Sequence, residues 1–250
     1  MSGHSKWSTI KRAKGAADVK RGLTFTKVAN AITIAAKTGG SGNPEDNPRL
    51  RMIMEEAKTV NMPKENIQRA IDRGLGKLPG QTLEEVVYEG FGPSKVAFIL
   101  EGVTDNKLRT LQIVKNIFEK SGGSLAGQRS VAYMFERVGQ IKLKGKGGGK
   151  DDEMLELIDL GAEDVEDYME ENIQMYLVYV KSPELNTMGI KITQAGYGVE
   201  KVGIIYKPNI IVEVKEAESA KKVLEFAQKL EELDDIQKVY TNLDVSEELI

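Results

Sequence analysis

The chain has 250 residues, of which 40% are apolar and 29% charged, with a formal net charge of −3, one histidine and no cysteine. This is globular composition with room for one to three domains. No apolar run reaches the roughly 20 residues needed to span a bilayer, and the first residues lack the apolar stretch of a secretory signal. Without cysteine there is neither a disulfide framework nor thiolate chemistry, which fits a cytoplasmic protein.

The net charge hides an asymmetry. Residues 1–77 carry 15 Lys and Arg against 7 Asp and Glu, and residues 78–250 carry the other 20 against 31. A basic front on an acidic body points to a polyanion as partner of the front. Residues 1–22 read as an arm. Lys6, Lys11, Arg12, Lys14, Lys20 and Arg21 face a single acid, Asp18, with Lys27 just beyond. The arm also holds the only Trp, Trp7, and the only His, His4. Such a segment can follow phosphates and stack a base, or be a plain solvated terminus.

In chain order, Thr24 to Thr38 is predicted as a helix with Phe25, Val28, Ala29, Ile32 and Ala36 on one face, stopped by Gly39-Gly40. After the polar loop GGSGNPED, Asn47-Pro48 starts a second helix with the stripe Leu50, Ile53, Met54, Ala57. Asn61-Met62-Pro63 breaks it. A third helix runs to Gly74 and buries Ile67, Ala70 and Ile71. Arg49, Arg51, Lys64, Arg69 and Arg73 lie largely off these stripes, free to extend a basic patch or to face solvent.

Past the linker Gly74–Gly80 the period changes. Strands are predicted at Val86–Tyr88 and Val96–Leu100, then a helix capped by Thr104 and Asp105. Further strands are read at Val131–Phe135 and Ile141–Leu143, a helix over Asp151–Leu160, strands near Val165–Tyr168 and Ile173–Val180, a helix with Leu185, Met188 and Ile192, and a strand Val199–Tyr206. Residues 131–206 thus read β-α-β-β-α-β, the order of a ferredoxin-like sandwich. A last β-α-β (Ile210–Val214, Ala220–Leu230, Ile236–Tyr240) is too small to stand alone. It is expected to fold back on residues 79–130. The expected division is an arm (1–22), a three-helix domain (23–78), an α+β domain from 79–130 plus 207–245, and an inserted domain (131–206).

Chemistry is scarce. One His and no Cys remove the common nucleophile–base pairs and His-ligated metal sites. The loop LKGKGGGK departs from a phosphate loop in spacing, and Asp151 stands where Ser or Thr would hold magnesium. No catalytic residue, cofactor or metal is expected.

Several runs carry a family resemblance: Gly3-His4-Ser5-Lys6-Trp7, Lys20-Arg21-Gly22, Asn47-Pro48-Arg49-Leu50-Arg51 and Asn61-Met62-Pro63-Lys64. In the body they continue with Tyr88-Glu89-Gly90-Phe91-Gly92-Pro93, Thr104-Asp105-Asn106 with Arg109-Thr110, Gly161-Ala162-Glu163-Asp164-Val165 and Leu233-Asp234-Asp235. In this order, over nearly the whole chain, they resemble the YebC/PmpR family. Arg12 departs from the His often found there and keeps the arm's charge. The resemblance implies an α+β multidomain protein: an N-terminal helical bundle followed by two ferredoxin-like α+β domains, the third inserted into the second. It also implies a cytoplasmic regulator, described as DNA-binding and transcriptional. A mitochondrial branch activates translation, and bacterial members are linked to ribosomes.

Three functions are therefore weighed. The first is a DNA-binding transcriptional regulator, and the second an RNA- or ribosome-binding translation factor. The third is a small-molecule sensor using an interdomain cleft near Asp105, Arg109 and Tyr133. For the first two the same residues are expected to bind: Lys6, Trp7, Lys11, Arg12, Lys14, Lys20, Arg21, Lys27, Arg49, Arg51, Lys64, Arg69 and Arg73. The partner is duplex DNA or ribosomal RNA, with no membrane involved; the oligomeric state is left open.

Overall fold

Hydrophobic periodicity switches from 3.6 to 2 near residue 80, and the architecture switches there too. The structure, a computed structural model, describes residues 17–80 and 82–245. Three helices come first: α1 (Ala17–Gly39), α2 (Pro48–Thr59) and α3 (Lys64–Gly74). They are followed by β1 (Glu84–Phe91), β2 (Ala97–Thr104), α4 (Lys107–Lys120) and β3 (Ser124–Ala126). The chain continues through β4 (Phe135–Lys144), α5 (Lys150–Asp159), β5 (Asp164–Glu170), β6 (Ile173–Lys181), α6 (Leu185–Gln194) and β7 (Gly198–Pro208). It closes with β8 (Val212–Glu213), α7 (Ala217–Glu231), β9 (Ile236–Thr241) and β10 (Leu243–Asp244).

The helical part has one apolar core. Val28, Ile32, Ala35 and Ala36 of α1 meet Leu50 and Ala57 of α2 and Ala70 and Ile71 of α3. Asn47 caps α2 as its residue type predicts: its Oδ1 accepts from the Leu50 N–H at 3.0 Å. Its amide also donates to the Ala35 carbonyl at 2.8 Å, tying the loop to α1. α1 begins seven residues before the expected Thr24. No proline interrupts Ala17–Leu23, and one internal glycine, Gly22, costs a helix only about 1 kcal/mol. Lys20 and Arg21, expected in the arm, are therefore helical.

The inserted module has the order that alternation predicted. Its sheet runs β5-β6-β4-β7, all antiparallel, with α5 and α6 on one face. This is the ferredoxin-like arrangement. The other sheet runs β3-β1-β2-β9, also antiparallel throughout, but here the hairpin β1–β2 comes before the first helix, α4, instead of after it. β9 pairs with β2 across the whole insertion, as the incomplete β-α-β required.

Several expected boundaries change. Residues 132–134 form a 3₁₀ turn rather than a strand, and Phe135–Lys144 is one strand where two pieces were read. The cause is Glu89. Its buried carboxylate accepts the N–H groups of Arg129 (2.7 Å), Val131 (2.9 Å) and Ala132 (3.0 Å), which takes those donors away from any ladder. Ile210–Val214 supplies only β8, a two-residue parallel pairing with β10 outside both large sheets. The β3 edge, three residues long, went unread. The cap of α4 is Asn106, whose Oδ1 accepts from the Arg109 N–H at 3.0 Å. Thr104 instead accepts from the Asn106 N–H.

The Glu89–Pro93 segment also explains its glycines. A Cβ on Gly90 would stand 2.6 Å from the Phe118 ring, and one on Gly92 2.6 Å from Phe98 and 2.7 Å from Phe226. Those three rings form an edge-to-face trio under the sheet, at centroid separations of 4.9–6.5 Å. The two sheets then meet through their helix-free faces. Ala97, Ile99 and Tyr240 pack against Phe135, Val138, Leu177, Tyr179 and Ile205.

Candidate nucleic-acid interface

The helical domain is fastened to the body by a few polar contacts and a small apolar plug. Lys37 Nζ donates to the Leu83 carbonyl at 2.9 Å, and Ile34 packs with Leu83 and Val103. Arg49 pairs with Glu85, and Lys201 of β7 reaches Glu56 at 3.4 Å.

These contacts sort the expected binding residues. Lys6, Trp7, Lys11, Arg12 and Lys14 lie outside the described residues. Lys20 and Arg21 lie on α1. Lys27 turns inward and donates to the Glu231 carbonyl at the end of α7. Arg49 is held by Glu85. Arg51 folds back on its own loop, giving Nε to the Pro44 carbonyl (3.0 Å) and Nη2 to the Glu45 carbonyl (2.9 Å). Three cations remain: Lys64, Arg69 and Arg73 are exposed, with no hydrogen-bond or ion-pair partner among the described residues. Of the acids on α3, Asp72 is taken by Gln68 (3.1 Å) and Lys77 (3.5 Å), and Glu65 is exposed without an ion pair among the described residues.

The body contrasts with this. Its Lys and Arg are mostly matched with acids, among them Lys146–Glu156, Lys150–Asp167, Lys207–Asp164 and Lys222–Glu218. Lys142, almost fully buried, sits between Glu170 (2.8 Å) and Glu200 (2.7 Å). Two of the interdomain candidates, Asp105 and Arg109, are engaged as well. Arg109 bridges Asp105 (2.8 Å) and Asp235 (3.0 Å), and Tyr133 stands 65% exposed on the 3₁₀ turn.

Helix geometry explains the grouping on α3. At 3.6 residues per turn, Asn66, Arg69 and Arg73 fall within about 60° of one another, and Lys64 lies on the opposite flank. Ile67, Ala70 and Ile71 face the core between them. The Asn66–Arg73 flank borders a cleft of about 260 Å³ between α1 and α3. Phe25, Thr26, Ala29 and Thr33 line it from α1, and Met62 from the turn before α3. Sequence reasoning found Arg69 and Arg73 as charge but missed this cleft, because its two walls are about 40 residues apart in the chain.

Two further properties bear on function. Among the described residues no group of three or more His, Cys, Asp or Glu gathers to hold a metal ion, and no helix is long and apolar enough to cross a membrane.

Comparison with known proteins agrees with this architecture. A crystal structure of a conserved hypothetical protein from Aquifex aeolicus superposes with a TM-score of 0.82 at 40% identity, covering 92% of this chain and 93% of that one. A relative from Thermotoga maritima, called a probable transcriptional regulatory protein, is 46% identical over 99% of this chain and 95% of its own length. One of the same description from Chlorobaculum tepidum is 44% identical over 100% and 98%. The model of the TACO1/YebC N-terminal domain matches residues 5–77, and that of the TACO1/YebC second and third domains matches residues 83–243. With both models matched in order along nearly its whole length, the chain belongs to the TACO1/YebC family.

Proposed function

We propose that the protein is a nucleic-acid-binding regulator of gene expression, without enzymatic activity, that acts in the cytoplasm through its N-terminal helical domain. The observation that carries the reading is the contrast in pairing. Lys64, Arg69 and Arg73 stand exposed on α3 without a partner among the described residues, whereas most cations of the body are matched with acids. Unmatched guanidinium groups facing water are the chemistry that phosphates take up, since each contact releases a condensed counterion. The two α+β domains then serve as the rigid body that carries this surface, with boundaries near residues 79–130, 131–206 and 207–245. Duplex DNA is the leading partner, supported by the relatives' description as transcriptional regulators. The four-residue turn between α2 and α3 also has about the length of the turn in helix-turn-helix duplex readers.

A second reading, binding to ribosomal or other structured RNA, is favoured by the cleft beside Arg69 and Arg73, a recess that suits single strands better than a duplex groove. The test is a competition between labelled duplex DNA and purified ribosomes at one near-physiological salt, for the intact protein and for Arg69→Ala/Arg73→Ala. Preference for duplex DNA that the double variant loses supports the transcriptional reading. Preference for ribosomes, lost in the same way, moves the protein to translation. Retention of both partners by the variant would refute an interface on α3.

A further inference from the structure

The cleft between α1 and α3 has a division of labour that phosphate binding alone does not use. Its floor is apolar: Phe25, Ala29, Met62 and Ala70. Both hydroxyls of the lining are already satisfied: Thr33 lies 2.9 Å from the Ala29 carbonyl and 3.0 Å from that of Ala70, and Thr26 donates to the Gly22 carbonyl at 3.3 Å. All the unused polarity is on one rim, in the amide of Asn66 and the guanidinium groups of Arg69 and Arg73.

From this arrangement we infer that the cleft takes one unpaired nucleobase of a single-stranded nucleic acid, with the flanking phosphates on Arg69 and Arg73. The inference rests on the nucleic-acid reading above and, of its two partners, takes the single-stranded one, narrowing phosphates in general to a site for one base. A base is flat, apolar on its faces and polar at its edge. The floor offers it an aromatic and three aliphatic side chains, and Asn66 offers both a donor and an acceptor at the edge. Arg69 and Arg73, one turn apart, project the same way and reach oxygens on either side of the inserted nucleotide. A volume of about 260 Å³ lies just under the roughly 300 Å³ at which small-molecule pockets begin, which suits a single heteroaromatic ring and nothing larger. A duplex would present only its backbone to this rim, because its bases are paired and stacked and must be extruded before one can enter.

The test uses the full chain and anisotropy with four labelled probes of equal length: oligoadenylate RNA, its deoxy counterpart, an abasic phosphate–deoxyribose oligomer and a blunt DNA duplex. The cleft predicts about tenfold tighter binding of both base-carrying single strands than of the abasic oligomer. Ala29→Leu, which fills the floor without touching charge, should erase that preference and leave abasic binding unchanged. Arg73→Ala should weaken all four. The RNA and DNA strands report whether the 2′-hydroxyl is read.

Equal affinity for oligoadenylate and the abasic oligomer would overturn the cleft while leaving the nucleic-acid reading intact. A base preference that survives Ala29→Leu would place the base elsewhere, Trp7 being the other aromatic on the basic side, and would overturn the proposal too. Binding of none of the probes, even at low salt, would remove the nucleic-acid reading and the cleft with it. Should Ala29→Leu melt early, photocrosslinking of a 4-thiouridine oligomer to the wild-type protein decides. Adducts on peptides containing Phe25 or Met62 support the site, and adducts confined to other peptides refute it.

Discussion

Thr110 donates its hydroxyl to Asp235 at 2.6 Å, across 125 residues of chain. Asp235 also accepts from Arg109 at 3.0 Å and from Thr104 at 3.2 Å. One carboxylate thus ties the β2–α4 corner to the start of β9 and closes the second domain around the inserted third. Asp105 and Arg109, weighed in the sequence as lining of a small-molecule cleft, are part of this corner, where the polar groups satisfy one another.

Asp235→Ala should therefore destabilise the second domain by about 2–4 kcal/mol, since it removes a charge-assisted acceptor shared by three donors. Urea unfolding followed by circular dichroism would measure it. A change below about 0.5 kcal/mol would mean that the corner is held by packing alone.

Glu89 makes a second prediction. Its carboxylate is 7% exposed and holds three backbone amides at the entry to the inserted domain. Glu89→Ala leaves these donors unmet in a mostly buried place and should cost about 2–4 kcal/mol. Faster hydrogen exchange of the amides of residues 129, 131 and 132 than in the wild type is the specific readout. Unchanged exchange there would contradict the role assigned to Glu89.

Acid sensitivity has a local source in Glu200. Burial alone would raise its carboxyl, but hydrogen bonds and charge from Lys142 and Lys144 outweigh that and hold it below the ordinary value of 4.5. A carboxyl lowered in the folded state stabilises the protein above the unfolded value and loses that contribution as pH falls through the folded value. Glu200→Gln should accordingly be less stable than wild type near pH 7, and the gap should narrow below about pH 4.5. Urea midpoints between about pH 3.5 and 7 test this; a gap constant with pH would assign the loss to packing.

The basic residues of the helical domain should separate into two classes. Lys27 and Arg49 spend their charge on the body, at the Glu231 carbonyl and at Glu85. Replacing both with Met should loosen domain docking by no more than about 1 kcal/mol per contact and leave the salt dependence of nucleic-acid binding unchanged. Parallel salt titrations of this double variant and of wild type would check the sorting; a flatter slope in the variant would return these two residues to the binding surface.

Much of the fold is legible in the sequence because periodicity is local. The alternation in Ile173–Lys181, the stripe in α7 and the Asn47-Pro48 start of α2 each suffice to place an element. The topology followed from counting: a lone terminal β-α-β needs a sheet to join, and β9 joins β2. What could not be read depends on distant partners. A run such as Val131–Phe135 looks extended until Glu89, some 40 residues away, claims its amides. Ile210–Val214 has strand composition, but Ile210 and Ile211 remain half-exposed and only two residues pair. The candidate site divides in the same way. Charge marked the basic front, but composition cannot tell that Lys27 is used by a carbonyl 204 residues away while Arg73 has no partner among the described residues.

The most direct test of the central claim is the salt dependence of nucleic-acid affinity for the full chain with Lys64→Ala/Arg69→Ala/Arg73→Ala. If these three side chains meet phosphates, the slope of log K against log[salt] should flatten by about two to three units, at roughly 0.7–0.9 per lost contact. The variant should also melt within a few degrees of wild type, since none of the three has a partner to lose among the described residues. An unchanged slope would contradict the account and leave α3 a solvated helix.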